Sequence, residues 1–163
     1  MANGCGYGSA MAPEAFVPPG FTPPTALVTG RFRLEPLGPQ HNAADHEAWT
    51  SSIEHIRATP GFPDGDWPPS DGMSLEANLS DLRRHAADFA AGRGFTFTVL
   101  DPADHDVVIG CVYLYPSASA THDVTVQSWV RAGSADLDGP LGDSVAEWLA
   151  AEWPWRRLDR CGR

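Results

Sequence analysis

The sequence predicts an α+β fold, a single domain with helices on both faces of a mixed, mostly antiparallel sheet. Three observations point there. Strand-like alternation recurs in three consecutive runs between Phe95 and Arg131, so these strands follow one another in the chain instead of alternating with helices. Helical patterns stand before and after those runs, set apart by breaks rich in Gly and Pro. The 163 residues, 42% of them hydrophobic with six Trp and seven Phe, make one domain with ample material for a core.

Residues 1–29 read as an N-terminal arm, rich in Gly and Ala at first and in Pro from Pro13 to Pro24; the domain itself runs from 30 to 163. Proline fixes φ and removes a donor, so the arm is expected to run extended, with Phe16, Val17 and Phe21 as anchors. Arg31-Phe32-Arg33-Leu34-Glu35-Pro36-Leu37 alternates apolar and polar residues, the mark of a strand with one buried face. Gln40 to Ser52 follows as a helix with Ala44, Ala48 and Trp49 on one stripe. Residues 53–73 carry too many Pro, Gly and Asp for regular structure, and a loop that long is expected to be functional. Ser74 is a good N-cap for the next helix, whose stripe is Leu75, Leu79, Leu82, Ala86 and Phe89 and whose end is Gly92.

Phe95 to Leu100 alternates, Asp101-Pro102-Ala103-Asp104 turns the chain, and Val107 to Tyr115 is nearly all apolar, which predicts an antiparallel hairpin with its second strand buried on both faces. Val124 to Arg131 adds a third strand to this meander. Asp136 to Glu152 reads as a helix ended by Pro154, with Leu141, Val145, Trp148 and Leu149 on its inner face, and Arg157 to Cys161 as a short last strand.

Twenty-one acidic residues face eleven basic ones, all Arg, for a net charge of -10. That balance argues against nucleic acid and anionic membrane surfaces as partners. The absence of Lys excludes Schiff-base chemistry. No run is long enough to span a bilayer and no secretory leader is legible, so the expected compartment is the cytoplasm. Cys5, Cys111 and Cys161 are odd in number and far apart, so no disulfide framework is expected.

The opening run at residues 31–37, the strand Val108-Ile109-Gly110-Cys111-Val112-Tyr113-Leu114, and Trp129-Val130-Arg131 before a helix, taken in that order and spacing, resemble the GNAT superfamily of N-acetyltransferases. They are similar to its first strand, its "I-G-x-v" third strand and its "w-V-r" fourth strand, over roughly residues 31–161. The resemblance implies an acyl-CoA-dependent transferase, with acetyl-CoA as co-substrate and a small amine or peptide amine as acceptor. In that family the fourth strand splays from the fifth and its backbone holds the pantetheine arm, which by position implies Trp129, Val130 and Arg131. The pyrophosphate then sits on the N-terminus of the next helix, where Gly139, Leu141 and Gly142 offer backbone N–H groups.

The family's usual loop at that terminus is Q/R-x-x-G-x-G/A, whereas this chain reads Arg131-Ala132-Gly133-Ser134-Ala135-Asp136-Leu137-Asp138-Gly139-Pro140. Pro140 removes one donor, and Asp136, Asp138 and Asp143 bring negative charge to a would-be phosphate site. The family's closing helix and last strands have no counterpart here, and the expected consequence is a homodimer in which a second copy completes the sheet.

Amide formation needs a base for the ammonium and polarisation of the thioester carbonyl. The family often places a carboxylate near its fourth strand, which implies Asp123, with His122 beside it; the alternative is a hairpin turn solvated by its own polar residues. The acceptor pocket is expected from the long loop, with Glu54, His55, Asp64, Asp66 and Trp67, and from Tyr113 and Tyr115 on the strand; their alternative is solvated charge and core packing. No metal is expected, since His41 and His46 do not share a helical face and His105 has no partners. Cys111 reads as a buried thiol, and Ser144 lacks a nucleophile elbow. A second expectation stays open beside the enzyme: a scaffold without cofactor that binds a ligand or dimerises.

Overall fold

The computed structural model describes residues 15–62 and 66–163. Asp64 and the first part of the expected arm lie outside the described residues. Six strands form one sheet in chain order: β1 (Leu27–Val28), β2 (Arg33–Pro36), β3 (Phe95–Leu100), β4 (Val108–Pro116), β5 (Val124–Val130) and β6 (Leu158–Asp159). All neighbours pair antiparallel except β5 with β6, which run parallel. The mixed, mostly antiparallel sheet and its meander are as the sequence predicts. The two-residue strand β1 is additional, because Leu27 and Val28 are too short a run to show a period.

Strand alternation divides the core in two. Phe32, Leu34, Phe95, Phe97, Val99, Val112, Leu114, Val124 and Val130 face one layer, shared with Leu141, Val145, Trp148 and Leu149 of α4 (Asp138–Glu152). Phe16, Val17 and Phe21 of the arm close that layer, with Phe16 stacked on Trp155 at 4.5 Å and Trp155 Nε1 donating to the Phe16 carbonyl at 2.9 Å. Leu100, Val108, Cys111, Tyr113 and Trp129 face the other layer, against α1 (Asn42–Thr50), α2 (Ile53–Arg57) and α3 (Leu75–Ala91).

Glycine is obligatory at Gly110, where an added Cβ would lie 2.1 Å from the Trp129 carbonyl oxygen. The close approach of β4 to β5 therefore depends on a residue without a side chain. The caps of α3 follow the sequence: Ser74 Oγ accepts from the Ala77 N–H at 3.0 Å, and Gly92 closes the helix at φ 68°.

Four expectations need correction. Residues 53–57 are helical, since Ile56 fills a fully buried position and holds one turn in place before the Pro-rich stretch begins. Leu75 is exposed, and the residues that α3 buries are Asn78 and Leu82. Asn78 takes a core position because its amide is satisfied: it accepts from Trp49 Nε1 at 2.9 Å and donates to Asn42 Oδ1 at 2.9 Å and Asp45 Oδ2 at 3.0 Å. A 3-10 segment, Ala132–Leu137, precedes α4 and carries the chain from β5 into the helix. Cys161 is disulfide-bonded, while Cys111 is a buried free thiol whose pKa burial pushes well up.

Candidate functional site

The feature that distinguishes the sheet lies between β5 and β6. Their register joins Val124 to Leu158 and Thr125 to Asp159 and stops there, so Val126 to Val130 continue with no strand on that side among the described residues. A parallel pair that opens after two residues leaves a V-shaped cleft. α4 starts just beyond the strand's end, and Val126, Ser128, Gly142, Val145, Leu149 and Leu158 line the cleft.

The cleft is nearly closed: the space left for solvent is about 10 Å³, no more than one water. Arg163 fills it. Cys161 and Gly162 take positive φ values of 57° and 88°, which turns the chain back after β6, and the Arg163 side chain comes to lie against β5. Its Nη2 donates to the Ser128 carbonyl at 3.1 Å and to Asp138 Oδ1 at 2.9 Å, and its Nη1 donates to the other oxygen of Asp138. The side chain is only 14% exposed. Arg160 lies 3.8 Å from Asp143 and against Gly142.

The residues expected to hold a cofactor are therefore placed as follows. Trp129 is fully buried and points away from the α4 layer, its Nε1 donating to Tyr113 Oη at 3.0 Å. Val130 packs in the α4 layer. Arg131 is drawn toward α1 and β4, donating to Glu47 Oε1 at 2.7 Å and to the Val108 carbonyl at 3.2 Å. At the helix start, Gly139 faces open space, Leu141 is core, and Gly142 sits under Arg160. Part of the donor set expected there is spent, since the Asp138 N–H bonds the Ala135 carbonyl within the 3-10 segment.

On the other face, Trp67 joins Tyr113 and Trp129 at ring distances of 6.3 and 5.9 Å, with Phe62 and Trp49 beside it. Trp67 is half-buried, so it forms the mouth of this aromatic cluster. Glu54 and Asp66 are exposed and His55 is half-buried. Gln127, which pairs with Tyr113 across β4 and β5, is buried, and its Nε2 donates to the Gly61 carbonyl at 2.9 Å.

The expected base stands elsewhere. Asp123 accepts from the backbone N–H groups of Arg156 and Arg157 at 3.0 and 2.9 Å and from Arg157 Nε at 3.1 Å. Those hydrogen bonds hold its carboxyl at about 2. Such an acid is a weak base, and its geometry is that of a clamp holding the chain that enters β6. His122 hydrogen-bonds Thr121 and lines an open groove of about 1230 Å³ with Phe16 and Trp155, apart from the aromatic cluster.

A polar network that the sequence does not single out borders the cluster instead. His85 of α3 lies 5.7 Å from the Tyr113 ring, and its Nδ1 is 2.9 Å from Tyr115 Oη and 3.0 Å from Thr96 Oγ1. Tyr115 donates to Asp88 Oδ2 at 2.9 Å. With its proton spent there, the phenol oxygen accepts from Nδ1–H, which leaves Nε2 as the acceptor of a neutral ring. Burial lowers the His85 pKa to about 4. No signal in the sequence marks His85, a histidine on a helix whose partners are brought to it from two strands. Among the described residues no group of three or more His, Cys, Asp or Glu side chains could hold a metal ion, and no helix is long and apolar enough to cross a membrane.

No protein-family model matches the chain, and no curated protein matches it in sequence. Solved structures do match it in shape. A ribosomal-protein-S5-alanine acetyltransferase from Vibrio fischeri superposes with a TM-score of 0.59 at 14% identity, over 77% of this chain and 67% of that one. The ribosomal L7/L12 alpha-N-protein acetyltransferase RimL, in complex with coenzyme A, gives 0.61 at 14% over 81% and 71%. The microcin C7 self-immunity acetyltransferase MccE, bound to acetyl-CoA and AMP, gives 0.56 at 12% over 80% and 67%. Identities this low speak to the backbone alone. The chain has the GNAT fold.

Proposed function

We propose that this protein is an acyl-CoA-dependent N-acetyltransferase that moves an acetyl group to a small amine or the amine of a peptide. The observation that carries the reading is the V between β5 and β6, which opens after two paired residues and leads to the start of α4. An extended pantetheine arm in that V takes the place of a missing strand, with backbone groups of Val126 to Arg131 as its partners. Gly139 and Gly142 lie where phosphates meet the helix terminus. In the solved neighbours RimL and MccE the bound molecules are coenzyme A and acetyl-CoA with AMP.

On the acceptor side, Trp67 and Tyr113 offer aromatic faces to a cation, and exposed Glu54 and Asp66 add the negative field that draws one in. Nε2 of His85 is the acceptor we assign to hold and orient the incoming amine; with a pKa of about 4 it is too weak to deprotonate an ammonium, so the amine attacks in its neutral form and its proton passes to the departing thiolate through solvent. Asp123, held by Arg157, keeps β6 docked on β5. As folded, the cleft does not admit the cofactor, because Arg163 occupies it; binding requires that side chain to leave.

Isothermal titration of the full chain with acetyl-CoA tests the reading. Saturable heat is expected, and no binding at millimolar cofactor by the full chain or by its Arg163→Ala variant contradicts it. The nearly closed cleft is also the specific observation that favours a second reading, a GNAT-fold module that has lost its cofactor, and the same pair of negative titrations would support it. We further propose a homodimer that pairs a second chain with the outer edge of the two-residue strand β6. Light scattering should then give twice the 17.5 kDa of one chain.

A further inference from the structure

We infer that Arg163 is an autoinhibitory plug: its guanidinium occupies the cleft between β5 and α4 in place of the cofactor and must swing out before acetyl-CoA can enter. The inference rests on the acyl-CoA reading of that cleft. Three features carry it beyond simple proximity. The guanidinium bonds the Ser128 carbonyl, a backbone acceptor on the stretch of β5 that, among the described residues, has no strand on its β6 side, and so takes a hydrogen bond an extended ligand would need. Its bidentate contact with Asp138 sets it at the first residue of α4, so one side chain spans both the strand and the helix start. Third, the Arg163 side chain is only 14% exposed, and the space left in the cleft, which Arg160 also lines, is about 10 Å³.

The plug also answers the charge problem at this helix start. Asp138 stands where a pyrophosphate would bind, and Arg163 neutralises it while the cleft is closed. Opening requires rotation of the Arg163 side chain and a shift of Arg160, which lines the same cleft and lies against Gly142. If the open form is a tenth of the population, the apparent affinity is a tenth of the intrinsic one.

The test compares acetyl-CoA titrations of the full chain and of its Arg163→Ala variant. The plug predicts about tenfold tighter binding by the variant. Loss of a positive charge near a polyanionic ligand would by itself weaken binding, so the predicted sign is opposite to plain electrostatics. Equal or weaker binding by the variant, with the parent binding measurably, overturns the plug and leaves the proposed function standing. No binding by either protein at millimolar cofactor overturns the proposed function, and the plug with it. Should Arg163→Ala fail to fold, Arg163→Met keeps the packed stem without the guanidinium and is read in the same way.

Discussion

At the residue scale, two buried titratable groups shape the pH response in opposite directions. Asp45 is 4% exposed, and burial raises its pKa to about 6. An acid whose folded pKa lies above its unfolded value is most stabilising when protonated, so its contribution is present below pH 4 and is lost as pH rises to about 6, by roughly 3 kcal/mol. Asp45→Asn keeps an acceptor for Asn78 without the charge and is expected to raise the Tm at pH 8 by roughly 5–10 °C in thermal melts. His85, whose pKa burial lowers to about 4, stabilises the fold above pH 6.5 and loses that contribution as pH falls toward 4. An unchanged Tm in Asp45→Asn would mean that the Asn78 amide already neutralises the cost of the buried charge.

His85 and His122 are separated by their surroundings. His85→Ala should lower kcat/KM by about tenfold through loss of the hydrogen bond that orients the amine, while His122→Ala should leave kcat/KM within about threefold. Because His85 stays neutral down to about pH 4, its acceptor for the amine should persist down to that pH. A kcat/KM that falls in His122→Ala and not in His85→Ala would return the role to His122.

At the element scale, β4 and β5 are held by a contact only Gly110 permits. Gly110→Ala must push the Trp129 carbonyl away from 2.1 Å, which separates the central strands. A loss of about 3 kcal/mol or more in urea unfolding is expected, and a loss under 1 kcal/mol would mean the strands can part freely. Much at this scale is legible in the sequence. The meander, the Ser74 cap and the Gly92 stop are local signals, each written within a few residues of where it acts. The burial of Asn78 is not local: its partners Asn42, Asp45 and Trp49 sit on another helix, so an apolar-stripe reading puts Leu75 inward and misses the hub. The helical turn Ile53–Arg57 escapes for a related reason, since one buried Ile56 is too little to make a period.

At the scale of the whole molecule, a resemblance carried by short apolar strings leads to the right fold, because strand order and the place of the splay depend on the pattern of the entire chain. The candidate site residues divide differently. Trp67 and Tyr113 lie 6.3 Å apart in one aromatic cluster, while Asp123 and Arg131 are engaged elsewhere, by Arg157 and by Glu47. Neither engagement is readable from the sequence, since each pairs residues more than thirty positions apart. The same distance hides Arg163, which reaches Ser128 only because the chain turns back after β6.

The central claim is that the V between β5 and β6 receives acetyl-CoA, and hydrogen–deuterium exchange with and without saturating acetyl-CoA tests it most directly. The account predicts new protection at residues 126–131 and 138–142 and none at 117–123. Protection confined to 117–123, or no change anywhere, would contradict it.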